Sequence, residues 1–436
     1  MLEWKRPFGT VTATASRFDR RNVFAMDAGL AADAFYGLAF DGDGRSVLFQ
    51  PTNRVVDSAE IRFASDFKGR FQLLAGAFLQ NERRSFRDDW KTVNPQGYPT
   101  SASSVLLLDT TDTLINERAV FGEASFEVLD RLKITGGLRW FDFTLSARTA
   151  TLIVNTEVSK DLPQSNRSRE SGVIPRFNIA YRASDQVNLY LQAAQGFRSG
   201  GVNNSAIAAA IGIAIPNAFG SDRLWNYEMG LKADLFNRKW FVDVAAYYLD
   251  WSDIQVRANA TNGDLEFAYT ANGGGANVKG LELQAQGRPL AGLSINGTVS
   301  FSDARLSKDN QNAAGVKGDR IPYVPRWQWS GGVKYEATIG KGDLRGFAGF
   351  DISYTSARAT NFNPTAGADY FVLRPNTIAN ARFGLKREGW SVTIGANNIF
   401  NDLHAIDYAR IVPGLYPTAR YINQPRTFLL NVMRSF

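Results

Sequence analysis

No cysteine occurs anywhere in this sequence. Its absence excludes a disulfide scaffold, a thiolate zinc site and a cysteine nucleophile. It also fits an oxidising compartment, where stray thiols are a liability. Histidine is almost as scarce. The single one, His404, has no acidic or cysteine partner at metal-ligand spacing and reads as a solvated loop residue. Blocks of one charge are missing too. The 49 basic and 42 acidic residues leave a formal charge of +7, but no run of Lys or Arg forms the patch a nucleic acid would need. No apolar run reaches the roughly 20 residues of a membrane-spanning helix. The longest, AIAAAIGIAI at 206–215, is closed by Pro216 and reads as a loop insertion. No apolar segment stands behind residues 1–7, so the reading finds no secretory signal at the start. Neither a G-x-S-x-G elbow nor an H-E-x-x-H helix occurs. The DGDG at 41–44 opens like a calcium loop, but its ligand run is not completed. The expectation is a protein that is not an enzyme and holds no cofactor or metal.

What is present points to β structure. There are 30 Phe, 15 Tyr, 9 Trp and 39 Gly, types that suit strands and turns better than helices. A chain of 436 residues is long enough for two or three ordinary domains or for one large β architecture. The pattern favours the second. The chain ends on FLLNVMRSF, with Phe428, Leu430, Val432 and Phe436 on one parity and Asn431 and Ser435 on the other. Trp390, Val392 and Ile394 alternate in the same way against Ser391 and Thr393. So do Leu293, Ile295 and Val299 against Ser294, Asn296 and Thr298, and Leu132, Ile134 and Trp140 against Lys133, Thr135 and Arg139. Alternation of this kind marks strands with one apolar and one polar face.

The connections fix the architecture. Seven are short, at 67–70, 129–131, 183–186, 236–239, 288–292, 338–342 and 386–389. Between them lie polar stretches rich in Gly, Asn and Asp, at 22–54, 83–115, 144–173, 199–222, 255–276, 304–324, 357–375 and 402–423. Short and long alternate without a break, which predicts sixteen strands in a meander with every long loop at one end. Lipid offers no hydrogen bonds, so a sheet there must close on itself. Short turns at one rim, long loops at the other, apolar residues out and polar residues in are the properties of a transmembrane β-barrel. Trp140, Tyr181, Tyr190, Trp240, Tyr248, Trp251, Trp327, Trp329 and Trp390 read as its two aromatic girdles. The last strand is expected to close the barrel against the strand at about residues 8–20, with Phe436 as the barrel-terminal signal at the periplasmic rim.

Several stretches together resemble TonB-dependent receptors of Gram-negative outer membranes. They are YLQAAQGFRSGGVNN (190–204), WNYEMGLKADLFNRKWFVDVAAYYLDWSDIQV (225–256), VKGLELQAQGRPLAGLSINGTVSFSDA (278–304), NARFGLKREGWSVTIGANNIFND (380–402) and the closing QPRTFLLNVMRSF. The resemblance implies a 22-stranded barrel, an N-terminal plug, and energy from an inner-membrane TonB-type transducer. This chain departs from that pattern at its start. Residues 1–436 read as a barrel domain without plug or coupling motif, an N-terminally truncated form in which sixteen strands match the family's last sixteen. Arg434 stands where the family's ending usually has an aromatic. The resemblance implies outer-membrane uptake of a scarce nutrient, most simply a ferric siderophore. It implies as partners the outer-membrane lipid, the barrel-assembly machinery, the transducer if the missing region is supplied, and a small ligand. The other reading is a passive sixteen-stranded diffusion porin. Expected ligand contacts are Arg198, Asn203, Asn204, Trp251, His404, Tyr408 and Tyr416. Paired lumen charges such as Arg345 and Asp351 are expected to solvate the interior.

Overall fold

The computed structural model describes residues 1–436 apart from 28–44, 95, 97, 99–104, 155–158, 211, 263–264, 314, 363–369, 410–418 and 436. The alternating segments form strands Leu2–Arg6, Gly9–Asp27, Arg45–Ser65, Phe71–Val93, Val105–Leu129, Leu132–Val154, Ser159–Ser184 and Val187–Arg198. After an excursion follow Asp222–Leu235, Trp240–Ser252, Gly275–Gly287, Leu293–Lys308, Trp327–Thr338, Arg345–Thr355, Asn376–Arg387, Trp390–Asn397 and Thr427–Arg434. They make one seventeen-stranded sheet. Each strand pairs antiparallel with the next along the chain, from Leu2 opposite Ala13 to Trp390 opposite Arg434. Among the described residues the only α-helix is the six-residue Ser205–Ala210, and no helix is long and apolar enough to cross a membrane.

All seven expected tight turns separate consecutive strands. An eighth, between Leu2–Arg6 and Gly9–Asp27, raises the count from sixteen strands to seventeen. This extra hairpin changes the expected closure. Leu2–Arg6 already occupies the free side of residues 9–13, and Thr427–Arg434 pairs only with Trp390–Asn397. Among the described residues no pairing joins the first strand to the last.

The long connections also differ from the expectation. Much of 22–54, 83–115 and 144–173 is strand rather than loop. Six successive strands, from Gly9–Asp27 to Ser159–Ser184, run 19 to 26 residues. A tilted strand crosses a bilayer in about 9–11 residues. Their upper parts therefore stand clear of lipid, where backbone pairing persists and the apolar alternation does not. Two further stretches fold as small hairpins, Gln255–Asn262 with Leu265–Asn272 and Ala405–Ala409 with Ala419–Ile422.

Register sorts the side chains to two faces. Leu138, Trp140, Phe177, Leu191, Tyr227, Met229, Leu281, Val299, Phe383 and Ile394 are exposed on one. Polar residues line the other, as where Thr298 meets the hydroxyl of Ser330 at 2.8 Å. Two of the nine girdle aromatics belong to the inner face. The Tyr190 hydroxyl donates to Glu228 at 2.7 Å, and Trp251 packs beside Ile254, Ala276 and Leu306. At the terminal pair, the guanidinium of Arg434 lies 5.1 Å from the Trp390 ring centre, so cation–π contact replaces an aromatic pair there.

Candidate functional site

The inner wall carries charges, and register pairs them. Arg54 grips Glu82 with two bonds of 2.7 Å, and Arg139 reaches Glu117 at 2.6 Å. Lys232 meets Asp243 at 3.1 Å, and Arg382 meets Asp351 at 3.0 Å. Glu336 sits between Lys334 at 2.8 Å and Arg345 at 3.4 Å. Arg345 and Asp351 therefore do more than solvate the interior: each has an ionic partner on a neighbouring strand. Charges paired side by side along the wall offset one another locally.

At the long-loop end, the excursion between Val187–Arg198 and Asp222–Leu235 folds back over the inner face of the tall strands. Phe197 stacks on Phe141 with ring centres 4.0 Å apart, packing against a small apolar cluster of Phe141, Phe143 and Ala119. Gln164 donates to the Ser205 hydroxyl at 2.7 Å and accepts from the Ala206 amide at 3.0 Å. The Ser221 hydroxyl donates to Glu170. The AIAAAIGIAI segment begins as the short helix of this excursion, with Ala208 and Ile213 buried.

Four of the residues expected to touch ligand lie on or beside this fold. Asp222, only 1 % exposed, is its hub. It accepts from the Arg198 amide at 3.2 Å, from Arg198 Nε at 2.8 Å and from the Gln255 amide at 3.1 Å. The Arg198 guanidinium lies over the Trp251 ring, 4.7 Å from its centre. Trp251 Nε1 is buried without a hydrogen-bond partner among the described residues. Asn203 has its amide saturated, donating to Pro216 O at 3.0 Å and Thr270 O at 2.9 Å and accepting from Thr270 N at 3.0 Å. Its bonds knit the loop together. Asn204 reaches Asp109 at 3.3 and 3.4 Å, where Thr151 also donates at 2.5 Å.

Asp109 stands directly opposite Asp88 in the register of two tall strands. Burial raises both carboxyls, Asp88 to about 6 with the Asp109 charge adding to the shift. Sequence reasoning missed Asp222, Gln255, Asp109 and Gln164. Their partners lie 24 to 95 residues away, and no local spacing announces such contacts.

The other expected contacts belong to the last excursion. His404 is not solvated: its side chain is 8 % exposed, and Nδ1 lies 3.6 Å from the Asp402 carboxylate. Tyr408 stacks on Phe371 at 4.5 Å, and the neighbouring Asp407 accepts from the Tyr323 hydroxyl at 2.9 Å, so three long loops interlock. Tyr416, Phe436 and the DGDG at 41–44 lie outside the described residues. Among the described residues no group of three or more His, Asp or Glu side chains is placed to hold a metal ion.

A one-ended antiparallel meander with an apolar outer face and a polar inner one is the sheet of a transmembrane β-barrel architecture. The chain belongs to the TonB-dependent receptor-like β-barrel family, whose model matches residues 3–399. The pesticin receptor of Yersinia pestis is 24% identical over 287 residues, 65% of this chain and 38% of that receptor. The metal-pseudopaline receptor CntO of Pseudomonas aeruginosa is 25% identical over 240 residues, 54% of this chain and 30% of its own. The chain thus spans less than half the length of these curated relatives. Among solved structures, the ferric yersiniabactin uptake receptor FyuA from Yersinia pestis superimposes with a TM-score of 0.77 at 16% identity, over 100% of this chain and 60% of that one. The ferric-catecholate import receptor Fiu from E. coli gives 0.69 at 14% identity, over 99% and 62%. These likenesses are of fold. The family and these neighbours are receptors rather than enzymes.

Proposed function

We propose that this chain forms the barrel wall of an outer-membrane receptor for a scarce metal chelate of siderophore type. The observation that carries the reading is the asymmetry of the sheet: tight turns at one end, and at the other tall hairpins and interlocked excursions. A wall of that shape separates a ligand-facing mouth from a plain rim. The relatives are receptors for ferric and other metal complexes, and they supply the ligand class. The wall-side ion pairs speak against the passive porin, because a charge already paired on the wall adds little field to a pore.

In this reading residues 1–436 are one barrel domain. The pull of a TonB-type transducer reaches the ligand through a plug-type element supplied from outside these residues. Outer-membrane lipid and the barrel-assembly machinery are its partners in folding. The mouth around Arg198, Trp251 and Tyr408 is where ligand is met. Uptake of a radiolabelled ferric chelate tests this in cells lacking their own receptor. The chain, exported with a secretory leader, should give no energy-dependent uptake alone and should give it when a plug segment is co-expressed. Ligand-specific, energy-dependent uptake by the chain alone would overturn the division of labour. Unselective leakage of small solutes at a rate proportional to concentration would favour the porin.

A further inference from the structure

The outer face of Val105–Leu129, Leu132–Val154 and Ser159–Ser184 changes character between two adjacent rows of the register. In one row Val120, Trp140 and Val173 lie side by side, all exposed. Two residues further toward the excursions, the row is Arg118, Asp142 and Ser171. The next three rows on the same parity add Arg169, then Arg167, then Arg148 opposite Asp112. An apolar row followed at once by charged ones marks the edge of the lipid on this face.

The charges above that edge do not balance. The four rows carry four arginines and two aspartates. Asp142 is taken by Arg169 at 2.9 Å. Arg118, Arg148 and Arg167 are exposed and have no ion-pair partner among the described residues. Every cation in these rows is an arginine, whose planar fork matches a phosphate.

Below the edge, the same face carries a hollow of about 560 Å³, bordered by Leu138, Phe177 and Trp225. Gly122 and Gly136 line it. A Cβ added at Gly122 would come no closer than 3.7 Å to any residue beyond its chain neighbours, and one at Gly136 no closer than 3.9 Å. At Gly76, by contrast, it would meet the Phe121 ring at 2.5 Å. Neither Gly122 nor Gly136 has a positive φ. Neither packing nor backbone geometry calls for glycine at these two positions, and the space is left to what surrounds this face, which is lipid. From Gly122 to Arg118 is four residues and from Pro175 to Arg169 six, roughly 13–20 Å along the strands. At a tilt of about 45° that is roughly 9–14 Å of depth, inside the 15 Å or so of one hydrocarbon leaflet.

We propose that the outer face of these three strands holds one phosphate-bearing lipid of the leaflet on the excursion side. Its acyl chain lies in the hollow and its phosphate beside Arg118 and Arg167. The hollow continues the lipid-facing surface, and the arginine excess complements an anionic headgroup.

The test is native mass spectrometry of the full chain, folded in nonionic micelles at low ionic strength. Dimyristoyl phosphatidic acid, dimyristoylglycerol and inorganic phosphate are titrated separately. One phosphatidic acid should be retained saturably, dimyristoylglycerol about tenfold more weakly or less, and phosphate not at all. Arg118→Gln and Arg167→Gln should each weaken phosphatidic acid about fivefold, the effect of one arginine beside an anionic surface. Arg21→Gln, on the same face but four strands away from Arg118, should leave it unchanged. Gly136→Leu, which fills the hollow, should weaken phosphatidic acid and dimyristoylglycerol alike. A second measurement needs no variant: phosphatidic acid should slow phenylglyoxal modification of Arg118 and Arg167 and not of Arg21. Equal retention of dimyristoylglycerol, equal retention of free phosphate, or an equal loss with Arg21→Gln would overturn the assignment. So would a dimer that Gly136→Leu abolishes, which would give the hollow to a second copy of the chain. Lipid retention needs no transport, so this result and the uptake result stand or fall separately.

Discussion

Neighbouring residues on one strand meet different solvents, and this is where the account is sharpest. Val299 is 38% exposed and Ile394 55% exposed on the outer face, whereas Thr298 bonds Ser330 on the inner one. A cation at the bilayer midplane of a barrel's lipid face costs roughly 2–4 kcal/mol. Val299→Lys and Ile394→Lys should therefore block or greatly slow folding into lipid vesicles, while Thr298→Lys and Thr393→Lys fold at near the unmodified rate. Equal behaviour of the two pairs would mean that the faces are inverted or mixed. A second contrast separates backbone strain from crowding. Gly292 has φ of 76°, and a Cβ there would stand 2.0 Å from the Glu336 carbonyl oxygen. Gly340 has φ of 72° and open space around it. Gly340→Ala should cost about 1 kcal/mol from the left-handed backbone alone. Gly292→Ala should cost distinctly more, read as the shift in urea midpoint of the lipid-folded chain. The two faces are legible in the sequence because alternation encodes them directly. Tyr190 and Trp251 are misread there because an aromatic type says nothing of parity. Only register, with Glu228 beside Tyr190 and Arg198 over Trp251, turns them inward.

At the scale of single elements, the tall hairpins are the part that sequence patterning hides. Lipid writes apolar alternation into a strand, and a segment clear of lipid does not carry it, so the upper halves of Phe71–Val93 and Val105–Leu129 read as loop. Their pairing is nonetheless continuous, and it sets Asp88 against Asp109. Burial holds Asp88 at about 6, above its unfolded value. For a carboxyl raised on folding, the folded state binds more protons between the two values. Stability of this hairpin tip is therefore greatest below the unfolded value and declines as pH rises through about 6. Asp109, raised in the same sense, adds to the decline. Amide exchange at residues 86–90 and 107–112, corrected for intrinsic rate, should report more frequent opening at pH 7.5 than at pH 5, and Asp88→Asn should flatten the difference. A tip that opens more at pH 5 would contradict the buried, protonated carboxyl. The excursion at 199–221 is legible as a long connection, but its docking is invisible in the sequence for another reason. Its anchors, Gln164, Glu170 and Asp109, come from distant strands and meet it only when the meander is folded.

For the whole molecule, one regularity organises the rest: every tight turn lies at one end of the sheet and every long excursion at the other. The alternation of connection lengths makes that order readable from the residues alone. Count and closure are less readable. Leu2–Arg6 is too short to show a period, and its pairing with residues 9–13 leaves the terminal strand Thr427–Arg434 with one neighbour among the described residues. The central claim is that this asymmetric sheet sits in an outer membrane with its excursions facing outward. The absence of cysteine allows a clean test, because any introduced thiol is the only one. Val316→Cys would place it on an exposed long loop and Lys68→Cys on an exposed tight turn. Intact cells exporting each variant are treated with a membrane-impermeant maleimide, and the chain is recovered from the outer-membrane fraction. The account predicts labelling of Val316→Cys in intact cells and of Lys68→Cys only after the outer membrane is opened. Labelling of Lys68→Cys in intact cells, with Val316→Cys protected or equally labelled, would contradict it.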